Sequence, residues 1–139
     1  MSEQRRASIL VVDDEIAVRE LLKLQLAGAG YEVQLADDAI VAARTLMAKP
    51  PDLMIVDVSM PYLDGVDFVA ALKADTTMPQ VNVVFISGHG EVLERARAVG
   101  APCLKKPFAV EELLELVRRE LQVRPPRRRA RLDYLSAST

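Results

Sequence analysis

Five short apolar runs, at 9–12, 31–35, 53–56, 81–86 and 101–104, constrain the fold of this chain more than any other feature. Each has the length of a strand. Ile9-Leu10-Val11-Val12, Leu53-Met54-Ile55-Val56 and the run from Val81 to Ile86 are almost unbroken. A strand with one wet face alternates apolar and polar residues. Near-continuous runs belong to strands covered on both faces, as in a parallel sheet between two helical layers.

The segments between the runs have helical spacing. The first sets Val18, Leu21, Leu22 and Leu26 on one face and stops at Gly28 and Gly30. The second, near 38–48, groups Ile40, Ala43 and Met47 and stops before Pro50-Pro51. The third follows an Asp64-Gly65 turn and uses Phe68, Val69 and Leu72. The fourth, near 90–99, is weaker, with Val92, Ala96 and Val99 before Gly100. The fifth is the clearest, with Val110, Leu113, Leu114, Val117 and Leu121. This alternation predicts a doubly wound α/β sandwich with a central five-stranded parallel sheet. Right-handed crossovers bring the C-terminal ends of all strands to one edge, where ligands of such sheets bind.

Three carboxylates fall on that edge. Asp13-Asp14 follows the first run and Asp57 follows the third. At a separation of about 5 Å and an effective dielectric near ~20, each like-charged pair costs roughly 3 kcal/mol. A cluster of three must take up a proton or hold a cation. Mg²⁺ suits it, since that ion prefers oxygen, uses few carboxylates and leaves positions open for water or phosphate. Asp13-Asp14 alone also reads as a helix N-cap pair. Asp57 reads either as a ligand only or as a nucleophile that forms an acyl phosphate. Ser87 and Lys106, each just past a later run, supply a hydroxyl and a fixed cation for phosphate oxygens. Taken singly, the first is a turn residue before Gly88 and the second a solvated lysine.

Together these residues match a known family. Val11-Val12-Asp13-Asp14-Glu15, Val56-Asp57-Val58-Ser59-Met60-Pro61 with Asp64-Gly65, Phe85-Ile86-Ser87-Gly88 and Lys105-Lys106-Pro107-Phe108 occur in order at strand ends. In this the chain resembles response-regulator receiver domains, the chemotaxis-regulator-like phosphoacceptors of two-component signalling, from about Ile9 to Leu121. The resemblance implies a flavodoxin-like (βα)5 fold with strand order 2-1-3-4-5. It implies Mg²⁺ held by Asp13, Asp14, Asp57 and the backbone carbonyl of Ser59, with Asp13 acting largely through water. Asp57 becomes the phosphorylated residue, accepting the phosphoryl group of a kinase phosphohistidine. Ser87 and Lys106 take its oxygens, and the Lys106-Pro107 bond is often cis in that family. Phosphorylation then rearranges the surface of the fourth helix, fifth strand and fifth helix. The implied partners are a sensor histidine kinase or phosphotransfer protein and a downstream protein target or output domain. First-helix residues around Val18 and Leu22 are those that choose the kinase. The domain itself turns over only its own phosphate, as a monomer or a phosphorylation-dependent dimer.

Two positions depart from the family pattern. Cys103 stands where a switch aromatic is usual, so switching is expected to rely on Ser87 and backbone movement; the thiol reads as a small strand residue or, more sharply, a redox sensor. Ser59 and His89 flank the site and are expected to tune the phosphate lifetime. A Mg²⁺-dependent aspartyl-phosphate phosphohydrolase is the main rival reading, but it needs an acid two residues after its nucleophile, where Ser59 stands. A flavin carrier of similar topology needs a Ser/Thr/Gly-rich phosphate loop where Asp13-Asp14-Glu15 stands.

Composition fills in the rest. The net charge is −2, with five arginines against Asp133 beyond residue 122 and the excess acid on the body, which argues against nucleic-acid binding by the domain. No apolar run nears the roughly 18 residues of a membrane span. A single cysteine excludes an internal disulfide and fits the cytoplasm. The expected organisation is an N-terminal arm (1–7), a receiver domain (8–122) and a basic Pro/Arg-rich tail (123–139). The tail reads as disordered or as an extension of the last helix, with docking to an acidic partner or linkage to an output domain as alternatives. The chain thus reads as a stand-alone receiver or as part of a larger transcriptional regulator or hybrid kinase.

Overall fold

A computed structural model describes residues 5–60, 63–90 and 92–123. The tail expected beyond residue 123 and the first four residues of the N-terminal arm lie outside them. Five parallel strands, β1 (Ser8–Val12), β2 (Glu32–Ala36), β3 (Leu53–Asp57), β6 (Asn82–Ser87) and β7 (Cys103–Lys105), form one sheet in the order β2-β1-β3-β6-β7. This is the expected 2-1-3-4-5 winding. The helices are α1 (Ile16–Gly28), α2 (Ala39–Ala48), α3 (Gly65–Ala74), α4 (Val92–Ala98) and α5 (Val110–Gln122). A two-stranded antiparallel hairpin, β4 (Ser59–Met60) with β5 (Leu63–Asp64), follows β3; no apolar run marks it.

The alternation of side chains along each strand sorts the core into two layers. Ile9, Val11, Leu53, Ile55, Val84 and Ile86 meet Leu22 and Leu26 of α1 and Leu113 and Val117 of α5. On the other face, Leu10, Val12, Met54, Val56, Val83 and Phe85 meet α2, α3 and α4. β1 and β3 are buried along their whole length, which is why their sequences run apolar without a break.

Helix faces were less legible. Leu22 and Leu26 are buried, but Leu21 is 53% exposed. On α2 the buried side chains are Ala42 and Leu46, while Ile40 and Met47 point outward at 64% and 66% exposure. The face expected inside is therefore largely outside. Two apolar stripes run along α2, and a smaller Ala-Leu stripe fits closer to the sheet than an Ile-Met one. α1 ends as expected: Gly30 takes φ +97°, and the Tyr31 N–H closes on the Leu26 carbonyl at 3.1 Å. α5 ends where Asn82, the first residue of β6, donates its side-chain amide to the carbonyls of Glu120 (2.9 Å) and Val123. The described part of the arm is tied down by Arg5 on Asp52 at 2.8 Å and by the Glu32 N–H on the Ala7 carbonyl at 2.9 Å. No helix among the described residues is long and apolar enough to cross a membrane.

Candidate functional site

β1 and β3 pair directly, Val12 beside Val56. The residues that follow them must therefore share the sheet edge. Asp13, Asp14 and Asp57 each bring a carboxylate oxygen within 4.8 Å of the others. Asp13 is 1% exposed and Asp57 4%. Asp13 Oδ1 accepts the Glu15 N–H at 2.8 Å, which starts the turn into α1. Asp13 Oδ2 is buried with no hydrogen-bond partner among the described residues. An orphaned carboxylate oxygen is costly. Burial, and then the neighbouring Asp57, push the Asp13 carboxyl up to about 6 against the opposing Glu15 N–H. Asp57 is likewise raised, chiefly by burial and further by Asp14 and Glu15, while the Ser59 N–H and Lys106 hold it down. This donor set, all oxygen and one atom short of partners, fits a hard divalent cation.

The other strand ends complete the edge. Lys106 Nζ lies 4.0 Å from Asp57 Oδ2, an ion pair at its outer limit. It is placed there by its own N–H, which donates to the Ser87 carbonyl at 2.8 Å. The Lys106-Pro107 bond is cis. Asp57 Oδ1 accepts the Ser59 N–H at 3.1 Å. Ser87 is fully buried, but its hydroxyl engages the following loop: it donates to the His89 carbonyl at 3.2 Å and accepts the His89 N–H at 3.0 Å. The hydroxyl expected to meet a phosphoryl group is thus held by its own chain in this arrangement.

Cys103 sits beside Phe85 in the sheet, half-buried against the α2–α4 side of the core. Burial pushes its thiol up from the ordinary value, which favours the inert protonated form over a redox-active thiolate.

Two features of the site escaped the sequence. Gly65 is the first residue of α3, not part of a free turn. A Cβ there would sit 2.4 Å from the Asp57 carbonyl oxygen and 2.9 Å from the Val58 Cα. Only glycine lets α3 start this close to the end of β3. Asp64 caps α3, taking the Val66 and Asp67 N–H groups at 2.8 and 3.1 Å. It also receives Arg95 of α4 through both guanidinium nitrogens, each at 2.9 Å. The Asp64-Gly65 dipeptide reads as a turn in the sequence, and nothing local signals a partner 31 residues away.

Comparison with known proteins agrees with this geometry. The family described as "Response regulator receiver domain" matches residues 9–118. The response regulator MprA of Mycobacterium avium is 38% identical over 121 residues, 85% of this chain and 52% of its own length. The chain thus spans about half the length of the curated relatives it matches. The chemotaxis protein CheY4 of Vibrio cholerae has a similar solved structure, with TM-score 0.76 and 33% identity over 84% of this chain and 99% of CheY4. Response regulator TrrA of Thermotoga maritima, solved in complex with Mg(2+)-BeF, gives TM-score 0.72 and 28% identity over 81% of this chain and 97% of its own. With a buried carboxylate cluster at the sheet edge, the expected winding and a family match over most of its length, this chain belongs to the response regulator receiver domain family, the phosphorylation-switched signalling modules of two-component systems.

Proposed function

We propose that Asp57 is the residue phosphorylated in this receiver, with a histidine kinase or phosphotransfer protein as donor. The observation that carries the reading is the position of its carboxylate, buried at the end of β3, beside two further carboxylates and 4.0 Å from Lys106. A carboxylate oxygen of Asp57 bonds to phosphorus as the donor's P–N bond breaks, and the electron pair returns to the imidazole nitrogen. Asp14 and Asp57, with the Ser59 carbonyl and with Asp13 acting through water, would hold Mg²⁺. When bound, that ion neutralises phosphoryl charge and orients the donor. Lys106 supplies the second, fixed positive charge, and Ser87 supplies a hydroxyl once released from His89. Ser59 offers a backbone N–H near Asp57 and no acid, which leaves this chain without the general acid of a phosphohydrolase.

The donor has a surface to dock on. Val18, Leu21, Leu22 and Gln25 of α1 line an apolar groove of 480 Å³ together with Lys106, Pro107 and Phe108. It suits the apolar face of a partner helix carrying phosphohistidine to Asp57. The reading places residues 8–122 as the folded unit, in the cytoplasm, with a protein target or output domain downstream.

The test is incubation of the full chain with Mg²⁺ and a small acyl-phosphate donor, followed by intact mass measurement. One phosphoryl group is expected on the wild type and none on Asp57→Asn. A wild type that gains nothing, or an Asp57→Asn protein that gains as much, overturns the reading.

A further inference from the structure

The two loops that flank Asp57 are joined by one ion pair. The first runs from Asp57 through the β4–β5 hairpin to Asp64, with the Gly65 N–H on the Val58 carbonyl at 2.9 Å and Gly65 pressed against the Asp57 backbone. The second runs from Ser87 through Gly88 and Gly90 into α4. Arg95 Nη1 and Nη2 reach Asp64 Oδ2 and Oδ1 at 2.9 Å each, and Nη2 reaches Asp67 Oδ1 at 3.2 Å. Bidentate guanidinium–carboxylate geometry is the strong form of such a contact.

α4 is held to the start of α3 by that contact. It has only seven residues, of which Val92 and Ala96 are buried. The chain turns out of it at Gly100 with φ +78°. α4 is the shortest helix among the described residues, and a short helix with few buried apolar contacts opens more readily than a long one. The loop before it holds the Ser87 hydroxyl on both backbone groups of His89. For Ser87 to meet a phosphoryl group on Asp57, this loop must give the hydroxyl up, and α4 is the body to which the loop is attached.

We propose that Arg95 and Asp64 form a clasp that holds α4 against the start of α3 in the arrangement where Ser87 is engaged by His89, and so restrains phosphorylation of Asp57. Opening the clasp frees α4 and shifts the population toward the arrangement in which Ser87 faces the phosphoacceptor. Arg95 and Asp64 are positioning residues: neither is among the groups that hold the metal or the phosphoryl oxygens. The proposal rests on the reading of Asp57 as the phosphoacceptor.

Two substitutions open the clasp without harming the helices. Asp64→Asn keeps a good N-cap for α3, and Arg95→Met keeps a good helix former in α4. Arg97→Met, the same change two residues on, is the control. Amide hydrogen exchange of α4 in the unphosphorylated full chain is expected to rise about threefold to fivefold in Asp64→Asn and in Arg95→Met, and not in Arg97→Met. Phosphoryl gain from a small acyl-phosphate donor with Mg²⁺ is expected to speed up by a similar factor. The double variant should match Arg95→Met, which already removes the contacts with both Asp64 and Asp67. Exchange unchanged from the wild type overturns the proposal. So does faster exchange with phosphorylation unchanged or slowed. A wild type that takes no phosphoryl group sinks the Asp57 reading instead, while the exchange rates still decide whether the clasp holds α4.

Discussion

Two acidic places lie along the same sheet edge and are treated oppositely. Asp64 has its charge met on every side, by two backbone N–H groups and a bidentate arginine, and its carboxyl is held below the ordinary value by Arg95. Asp13 and Asp57 are far more buried, have fewer partners, and are both pushed up. The first place is electrostatically finished. The second is left short of positive charge, with Lys106 standing off at 4.0 Å and Asp13 Oδ2 unmatched among the described residues. A fold that satisfies one carboxylate so fully and leaves its neighbours wanting has kept room for a ligand that brings charge with it.

The sharpest way to break this contrast is to neutralise one residue in each place. Asp57→Asn is expected to abolish phosphoryl gain, whereas Asp64→Asn retains it; intact mass after donor treatment distinguishes them. Next in size is Asp13→Asn. Mg²⁺ affinity, measured by titration calorimetry, should fall about tenfold to a hundredfold. Metal-free stability should rise by about 1–2 kcal/mol in urea unfolding, because a buried charge with an orphaned oxygen is gone. Asp64→Asn should leave Mg²⁺ affinity within about twofold.

The pH dependence carries the same contrast. A carboxyl raised in the folded state binds more protons folded than unfolded, so stability falls as pH rises between the two values. Asp13 therefore predicts a metal-free protein that loses up to about 3 kcal/mol between its unfolded value of about 4 and its folded value of about 6. Saturating Mg²⁺ should flatten or reverse that slope, and Mg²⁺ affinity should rise as pH passes through 6. Asp64, with its lowered carboxyl, has the opposite sign: its contribution is present above the unfolded value and lost as pH falls through the folded one. Smallest is the cap. Asp64→Ala should cost about 1 kcal/mol of stability and Asp64→Asn a few tenths, read as a difference in urea midpoint.

The sequence showed the first contrast and hid the second for a physical reason. Asp13, Asp14 and Asp57 end apolar runs, and run-ends in a parallel sheet converge whatever the helices do. Ser87 and Lys106 were placed by the same logic. Arg95 and Asp64 meet because α4 packs beside the start of α3, which no periodicity in either segment states. Ile40 and Met47 were misplaced for a related reason: spacing finds an apolar stripe on a helix but cannot choose between two. Leu21, read as core, lies instead on the outer groove with Val18 and Phe108. The hairpin at Ser59–Asp64 is only two residues deep on each side, too short for any pattern to form.

Asn82 and Ser87 are the two ends of β6. One grips the close of α5, the other follows the residue paired with Asp57, and the strand between them spans roughly 17 Å. A reporter joined after Val123 would therefore be mounted at the pole of the molecule farthest from the chemistry. The Asn82 amide fixes the exit of α5 to the far end of the same strand whose other end carries Ser87.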